Sequence, residues 1–548
     1  MSERAQADGT DSFLSGVRVL ELADELGEYC GKVLAGLGAE VIKIEPPDGE
    51  RTRRIGPFLD DSEHPDRSLY FWHYNFGKQS VVLDLDREED QERFRDLARD
   101  TDVIIDTRPA GYLSERKIGY EELSQLNIGL IMARISPFGA TGPWSRHKGS
   151  DLIHLALGGV VMNNGYDPDP DGVYETPPVA PQMWQAYQIT GEMTVIALLG
   201  ALYYRQSGGL GQLLSTSVHG AVAQQTELDL PNWVYGRLPH YRRTARHSLF
   251  NPRPPTISMT KDGRWLATYR TYLGGGMEPF RGVVALLDRY GMADDLKDER
   301  YNDPAVITDP KVDMHVGDLL GRLVGRFMFS RDLWLEAQEL NQTWAPVRKP
   351  EENADDEHWR IRGSFVEVDH PELQRTFTEI GAKWVCPEVP WRQGPRAPLL
   401  GEHTDEVLGG RAQRAAPIRV REPAPALADQ SVSKHGRPFA LADVLVVDLG
   451  WILASGGAGR FLASQGANVI KVEHRDRLDQ SRWTGAPAPP GGRAERDAAT
   501  GPMLLPPAES PNRSGCFNEV NAGKRAISLN LRHARGKELL EELIRKGN

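Results

Sequence analysis

The stretch Val17–Glu45, VRVLELADELGEYCGKVLAGLGAEVIKIE, leaves few folds open to this chain. Val17–Leu22 is a short run rich in branched residues and reads as a buried strand. Cys30, Val33, Leu34 and Leu37 follow at helical spacing, and Gly36 and Gly38 close that helix. Val41–Ile44 is a second strand. Two strands joined by a helix within about 30 residues predict a right-handed βαβ crossover and a parallel sheet. The pattern then returns at Val444–Glu473, VLVVDLGWILASGGAGRFLASQGANVIKVE, with Glu473 standing 428 positions after Glu45. That spacing is far too long for a solenoid repeat. It is the length of a whole enzyme subunit, so we expect two copies of one domain, the second of them partial.

Strand and helix alternate up to residue 135. Strands are expected at Ser80–Leu85, Asp102–Asp106 and Gly129–Ile135, with a polar amphipathic helix between the first two. This is the pattern of an open α/β sheet with helices on both faces. Ser136-Pro-Phe-Gly-Ala-Thr-Gly-Pro-Trp144 is a loop after a strand, where such sheets take their ligands. A helix is expected from Ser150 to Val161 and a long apolar one from Ala186 to Arg205. Asp262-Gly263 reads as a hairpin turn before a strand at Arg264–Thr268. The expected fold is therefore a Rossmann-like large domain with an open parallel sheet, a smaller α+β domain, and a partial second copy. The boundaries are 13–215 for the first part of the large domain and 216–354 for the small domain. Residues 355–410 return to the large domain, 411–437 form an Ala/Pro/Arg-rich linker, and 438–548 form the second copy. The second copy is expected either to dock on the first or to leave an apolar face poorly packed.

Composition removes several classes of function. A net charge of −12 makes a poor nucleic-acid binder, so any anionic ligand needs local Lys, Arg and backbone amides. No run of 18 apolar residues marks a membrane span. The polar N-terminus carries no secretory signal. Cys30, Cys386 and Cys516 fit a reducing cytoplasm and suggest neither a disulfide framework nor a zinc site. A dinucleotide-dependent oxidoreductase is disfavoured, because no G-x-G-x-x-G follows the first strand and Glu45 comes too soon after Gly38 to read a ribose.

Six segments in order resemble the family III CoA-transferases, the group of formyl-CoA and carnitine-CoA transferases. They are GVRVLEL…LGAEVIKIE, NFGKQSVVLDLD, RISPFGATGPWSRHKGSDL, ALYYRQSGGLGQ, GSFVEVDHPE and PLLGEHTDEVL. The resemblance covers residues 14–410 and again 440–548. It implies CoA thioester and carboxylate substrates, with coenzyme A as a substrate and no permanently bound cofactor. It also implies interlocked subunits, as a homodimer or as an intramolecular pairing of the two copies, with no nucleic-acid or membrane partner. In the family an aspartate attacks the acyl-CoA carbonyl and carries first an acyl anhydride and then a CoA thioester, which is nucleophilic catalysis.

The chain departs from the family at that residue. The aspartate stands four positions before a glycine, here Gly191, and Tyr187 occupies its place. A phenol, with an ordinary pKa of about 10, makes a poor acyl donor of this kind. The resemblance therefore implies that the first copy lacks its nucleophile. Glu192 is the nearest acid in sequence, with a plain reading as a helix N-terminal acid favoured by the helix dipole. The turn Leu26-Gly-Glu-Tyr29 also differs from the family's Ala-Gly-Pro, and Ala454-Ser-Gly456 in the second copy lies closer to it. Lys78 and Lys148 hold the positions that meet the CoA phosphates and adenine in the family. Arg108 and Arg116 lie near the corresponding turn, and Lys524 is the second-copy equivalent of Lys78. Each of these cations also fits solvated surface charge. Gly139 and Gly142 fit either a close backbone approach to ligand or an ordinary turn; His154 and His403 read as structural. Double-length members of the family are known by type, among them a lyase acting on dimethylsulfoniopropionate, with one half carrying the working aspartate. Beside an active transferase stands a non-enzymatic alternative, a CoA-binding or structural half that supports a catalytic one.

Overall fold

The expected first strand is β1 (Arg18–Leu22), buried at all five positions. A run without polar alternation belongs inside a parallel sheet covered on both faces, and β1 lies at the middle of one. The computed structural model describes residues 12–225, 229–270, 276–410, 436–503 and 510–547. The N-terminal tail and almost all of the expected linker at 411–437 lie outside the described residues. From β1 the chain passes through α1 (Glu28–Gly36), β2 (Glu40–Glu45), α2 (Leu69–Asn75), β3 (Gln79–Val82), α3 (Glu88–Arg99) and β4 (Val103–Asp106). It continues through α4 (Tyr112–Glu115), α5 (Tyr120–Leu126), β5 (Ile131–Ser136), α6 (Asp151–Leu157), α7 (Gln185–Gln206), β6 (Leu213–Ser217) and α8 (Val218–Ala223). The strands lie in the order β3-β2-β1-β4-β5-β6, and every pairing is parallel. This is a doubly wound sheet, with its topological switch between β1 and β4. One face packs on α1, α6, α7 and α8 through residues such as Val33, Leu34, Leu155, Leu198 and Val222. The other packs on α3 and α5 through Phe94, Ala98 and Leu123.

β6 is absent from the sequence reading. Leu213-Leu-Ser-Thr-Ser217 is a half-exposed edge strand with only two apolar residues, so its periodicity is faint. The boundary expected at 215/216 falls inside it. The helix expected over 150–161 is shorter, because α6 ends at Leu157 ahead of Gly158 and Gly159.

Buried charges tie the helices to the sheet. Lys78 Nζ donates to both oxygens of Glu21 on β1, to Asn75 Oδ1 on α2 and to the Glu28 carbonyl on α1, at 2.8–3.0 Å. Lys43 bridges Glu21 at 3.1 Å and Glu28 at 2.8 Å, with all these side chains fully buried. Gly31 makes the close approach possible, since a Cβ there would lie 1.6 Å from Glu21 Oε2. Gly31→Ala is therefore expected to lower stability by about 1–3 kcal/mol, the usual range for overpacking. Thermal unfolding checks this, and an unchanged Tm would show that the carboxylate yields easily.

Residues between Leu266 and Trp344 build a separate hydrophobic cluster. A three-stranded antiparallel sheet (Ile257–Met259, Trp265–Thr268, Trp344–Pro346) packs on helices Met277–Asp288 and Pro310–Val324 around Phe280, Val283, Leu320 and Leu323. The turn at Gly263 has φ +77°, as expected of Asp262-Gly263. The chain then returns to the large sheet. Gly77 N–H donates to the Pro395 carbonyl, and Thr404 Oγ1 accepts from Val82 N–H beside β3.

In the 441–548 region, strands Leu445–Asp448, Asn468–Glu473 and Arg525–Ser528 form a parallel sheet, with helix Ala454–Ser464 between the first two. Two of its contact sets resemble those above. Lys524 Nζ meets Asp448 Oδ2, the Gly456 carbonyl and Asn521 Oδ1 at 2.7–3.0 Å. Arg482 pairs with Glu473 over the Phe517 ring, as Arg53 pairs with Glu45 over Phe71. The region touches the rest of the chain: Ala486 N–H donates to Asn232 Oδ1 at 2.6 Å and Met503 N–H to the Gly236 carbonyl at 2.8 Å.

Candidate active site at the strand ends

In a doubly wound sheet the ligand crevice opens where adjacent strands send their connections to opposite faces. Here that place is the C-terminal end of β1 and β4, where Asp24 and Thr107 hydrogen-bond to each other. The 3₁₀ turn Arg51–Arg54 lies across it. Arg51 pairs with Asp24 at 2.9 Å and Glu25 at 2.5 Å, and Arg108 pairs with Glu50 at 2.7 Å. Arg134 on β5 lies 3.9 Å from Asp106. Glu25 is the unusual group. Its Oε2 is buried without a hydrogen-bond partner, and burial, then the Asp24 charge, push its carboxyl up to about 7.

Tyr187 lies in the first turn of α7, buried at 5% exposure. It belongs to a chain of rings: Trp184–Tyr187 centroids are 6.0 Å apart, Tyr70–Trp184 4.9 Å and Tyr70–Tyr74 4.5 Å. Burial, then the neighbouring Glu25 charge, drive the phenol further above its ordinary range. Tyr187 is thus a neutral, packed ring. Asp151 caps this turn, its Oδ1 accepting from Ala186 N–H at 2.8 Å, and burial raises its carboxyl pKa. Sequence reasoning passed over Asp151, although Ser150-Asp151 opens a helix in one of the quoted segments.

The other expected site residues separate. Glu192 lies about two turns into α7, not in its first turn; it accepts from Tyr29 Oη at 2.9 Å and pairs with Lys383 at 2.9 Å. Lys78 and Lys524 are corrected: both ammonium groups are buried and engaged by protein oxygens, so neither presents its charge to a phosphate. Arg116 lies over the Tyr112 ring and pairs with Asp86, away from the Arg108–Glu50 pair. Lys148 is exposed in the loop after β5. Gly139 and Gly142 have φ near +95°, and a Cβ on Gly142 would meet nothing within 4 Å, so its glycine serves the turn. His154 packs beside Phe138, where burial lowers its pKa to about 4, and His403 Nδ1 accepts from Ser80 N–H. Arg51 and Arg134 went unrecognised because a strand-end cation carries no periodicity to reveal it. Among the described residues no cluster of three His, Cys, Asp or Glu could hold a metal, and no helix is long and apolar enough to cross a membrane.

A parallel β3-β2-β1-β4-β5-β6 sheet with its switch at Asp24 and Thr107 defines a doubly wound α/β protein, the class in which ligand crevices lie at the strand ends. The chain belongs to CoA-transferase family III, whose sequence profile matches residues 14–404 and 441–548. It is similar to the succinyl-CoA:(R)-benzylsuccinate CoA-transferase subunit BbsE of Thauera aromatica, 29% identical over 400 residues, which is 72% of this chain and 93% of that protein. It is also similar to the succinate–glutarate CoA-transferase of Agrobacterium fabrum, 31% identical over 72% of this chain and 94% of that one. Among solved structures, a CAIB/BAIF family protein from Brucella suis shares the fold with a TM-score of 0.61, at 24% identity over 73% of this chain and 99% of that one.

Proposed function

We propose that this protein acts in the transfer of CoA between an acyl-CoA and a carboxylic acid, and that residues 14–404 bind the CoA thioester without supplying the nucleophile. The observation that carries the second half is Tyr187, a buried ring beside Trp184, which itself packs on Tyr70, where an ionised carboxylate is required. The relatives named above move CoA onto or from dicarboxylic acids, which supports the substrate class. We read residues 441–548 as a partial second copy of the large domain. The matching three-way contacts of Lys78 and Lys524 support this reading. CoA is a substrate here, and Arg51, Arg108, Arg134 and Lys148 are the cations available at the strand ends to meet its phosphates. A purely structural role for residues 14–404 is the second reading, favoured by the inward-facing Lys78 and the packed ring of Tyr187.

One set of measurements separates the readings. Calorimetry with CoA is expected to show binding that weakens as salt rises. Lys148→Ala and Arg108→Ala are each expected to weaken it further. Incubation with succinyl-CoA followed by hydroxylamine or borohydride is expected to leave no modified acid within residues 14–404. An adduct on Glu25, Asp151 or Glu192 would overturn the missing-nucleophile reading. A chain that ignores CoA altogether would favour the structural one.

A further inference from the structure

A cavity of about 930 Å³ lies where the two sequence regions meet. One wall carries Arg246, His247 and Arg253; the opposite wall carries Leu453, Trp483 and Thr484 from the 441–548 region. The size suits a small ligand. Among the described residues the charges on the first wall do not balance. Arg270 binds Asp313 at 2.6 Å, and Arg253 lies 3.6 Å from the same carboxylate. Arg246, beside both arginines, has no carboxylate within ion-pair reach among the described residues. Its Nη1 donates to the Pro254 carbonyl at 2.7 Å, and its Nε is buried with no hydrogen-bond partner. Burial, then the Arg270 charge, lower its pKa, with Asp313 opposing them. Asp229 also lines the cavity, but it is occupied by His240 and by Asn163 Nδ2 at 2.6 Å. Two arginines thus share Asp313, and Arg246, without a carboxylate of its own among the described residues, shares the cavity lining with Leu453 and Trp483.

We propose that this cavity binds a small carboxylate, with the Arg246 guanidinium holding the anion and Trp483 and Leu453 covering its carbon skeleton. A guanidinium matches a carboxylate in plane and in charge, and the half-apolar opposite wall favours an organic anion over inorganic phosphate. Its identity as the acid that accepts or releases CoA rests on the transfer reading above; the binding itself does not.

The test titrates the full chain with succinate at low salt, by calorimetry. Saturable binding is expected. Arg246→Gln is expected to weaken it by at least about tenfold, the effect of losing a charge-assisted pair. Trp483→Asp is expected to weaken it similarly by placing a like charge on the opposite wall. That residue is 57% exposed, so the variant keeps the proposal testable even where Arg246→Gln fails to fold. Inorganic phosphate and CoA form the other arms. Phosphate binding as tightly as succinate, with CoA displacing succinate, would make this a phosphate site and overturn the proposal. Absent succinate binding, or binding unchanged in both variants, would also overturn it. CoA transfer is assayed separately. Arg246-dependent succinate binding without any transfer keeps this site and removes the transfer reading. Transfer with an unchanged succinate KM in Arg246→Gln does the reverse.

Discussion

Lys78→Met is expected to cost about 3–5 kcal/mol of folding stability, the usual price of removing one partner from a buried ion pair. The Nζ of Lys78 touches both oxygens of Glu21 in a site closed to water. Without it Glu21 keeps only Lys43, which is already shared with Glu28. The Glu28 carbonyl and Asn75 Oδ1 lose a donor as well. Denaturant unfolding measures the loss, and a change below about 1 kcal/mol would place Lys78 among ordinary surface charges. The double variant Glu21→Gln, Lys78→Met should recover part of the loss, because no unpaired charge stays behind. Folded Lys78→Met should bind CoA as the parent does, which separates a clip within the fold from a phosphate ligand.

Glu25→Gln is expected to stabilise the protein at pH 8 and to leave it unchanged near pH 4. The carboxyl sits at about 7 in the fold against an ordinary 4.5, so the folded state prefers the neutral acid. The unfavourable contribution is absent below pH 4.5, grows between 4.5 and 7, and is complete above 7. It amounts to about 3 kcal/mol there. Glu25 is only 14% exposed, so solvent does little to screen it, and Gln keeps an acceptor for Arg51. Thermal unfolding of both proteins across this range reads the effect directly. A gain of the same size at pH 4 and pH 8 would mean that packing, not charge, is responsible.

The parallel sheet was legible because buried strands and their crossover helices write two distinct periods into the sequence. β1, β2, β4 and β5 carry those periods strongly; β6, exposed at an edge with Ser215 and Thr216, does not. The site was less legible. A lysine that contacts phosphate and one that clips Glu21 to Asn75 look alike in one dimension, since burial depends on what the fold brings near. Tyr187 was readable from its place before Gly191, but most of the ring cluster was not, because Tyr70 and Tyr74 come from a distant segment. Glu25 escaped notice for the same reason. Its high pKa comes from surroundings assembled across the switch between β1 and β4.

The return of residues 395–408 to β3 also bears on how the chain is made. β1 leaves the ribosome before its covering segment, and the residues that cover β3 at Thr404 come 386 positions after Arg18. At about 5–20 residues per second, that is a wait of roughly 20–80 s. Throughout it the nascent sheet carries an unfinished flank, and Val407 has yet to reach the cluster of Ile44, Val81 and Phe94. This large unit therefore matures only when its own tail arrives. Chaperone dependence during synthesis should track the length of the 216–394 interval, so a shortened interval would release the chain from its helpers sooner.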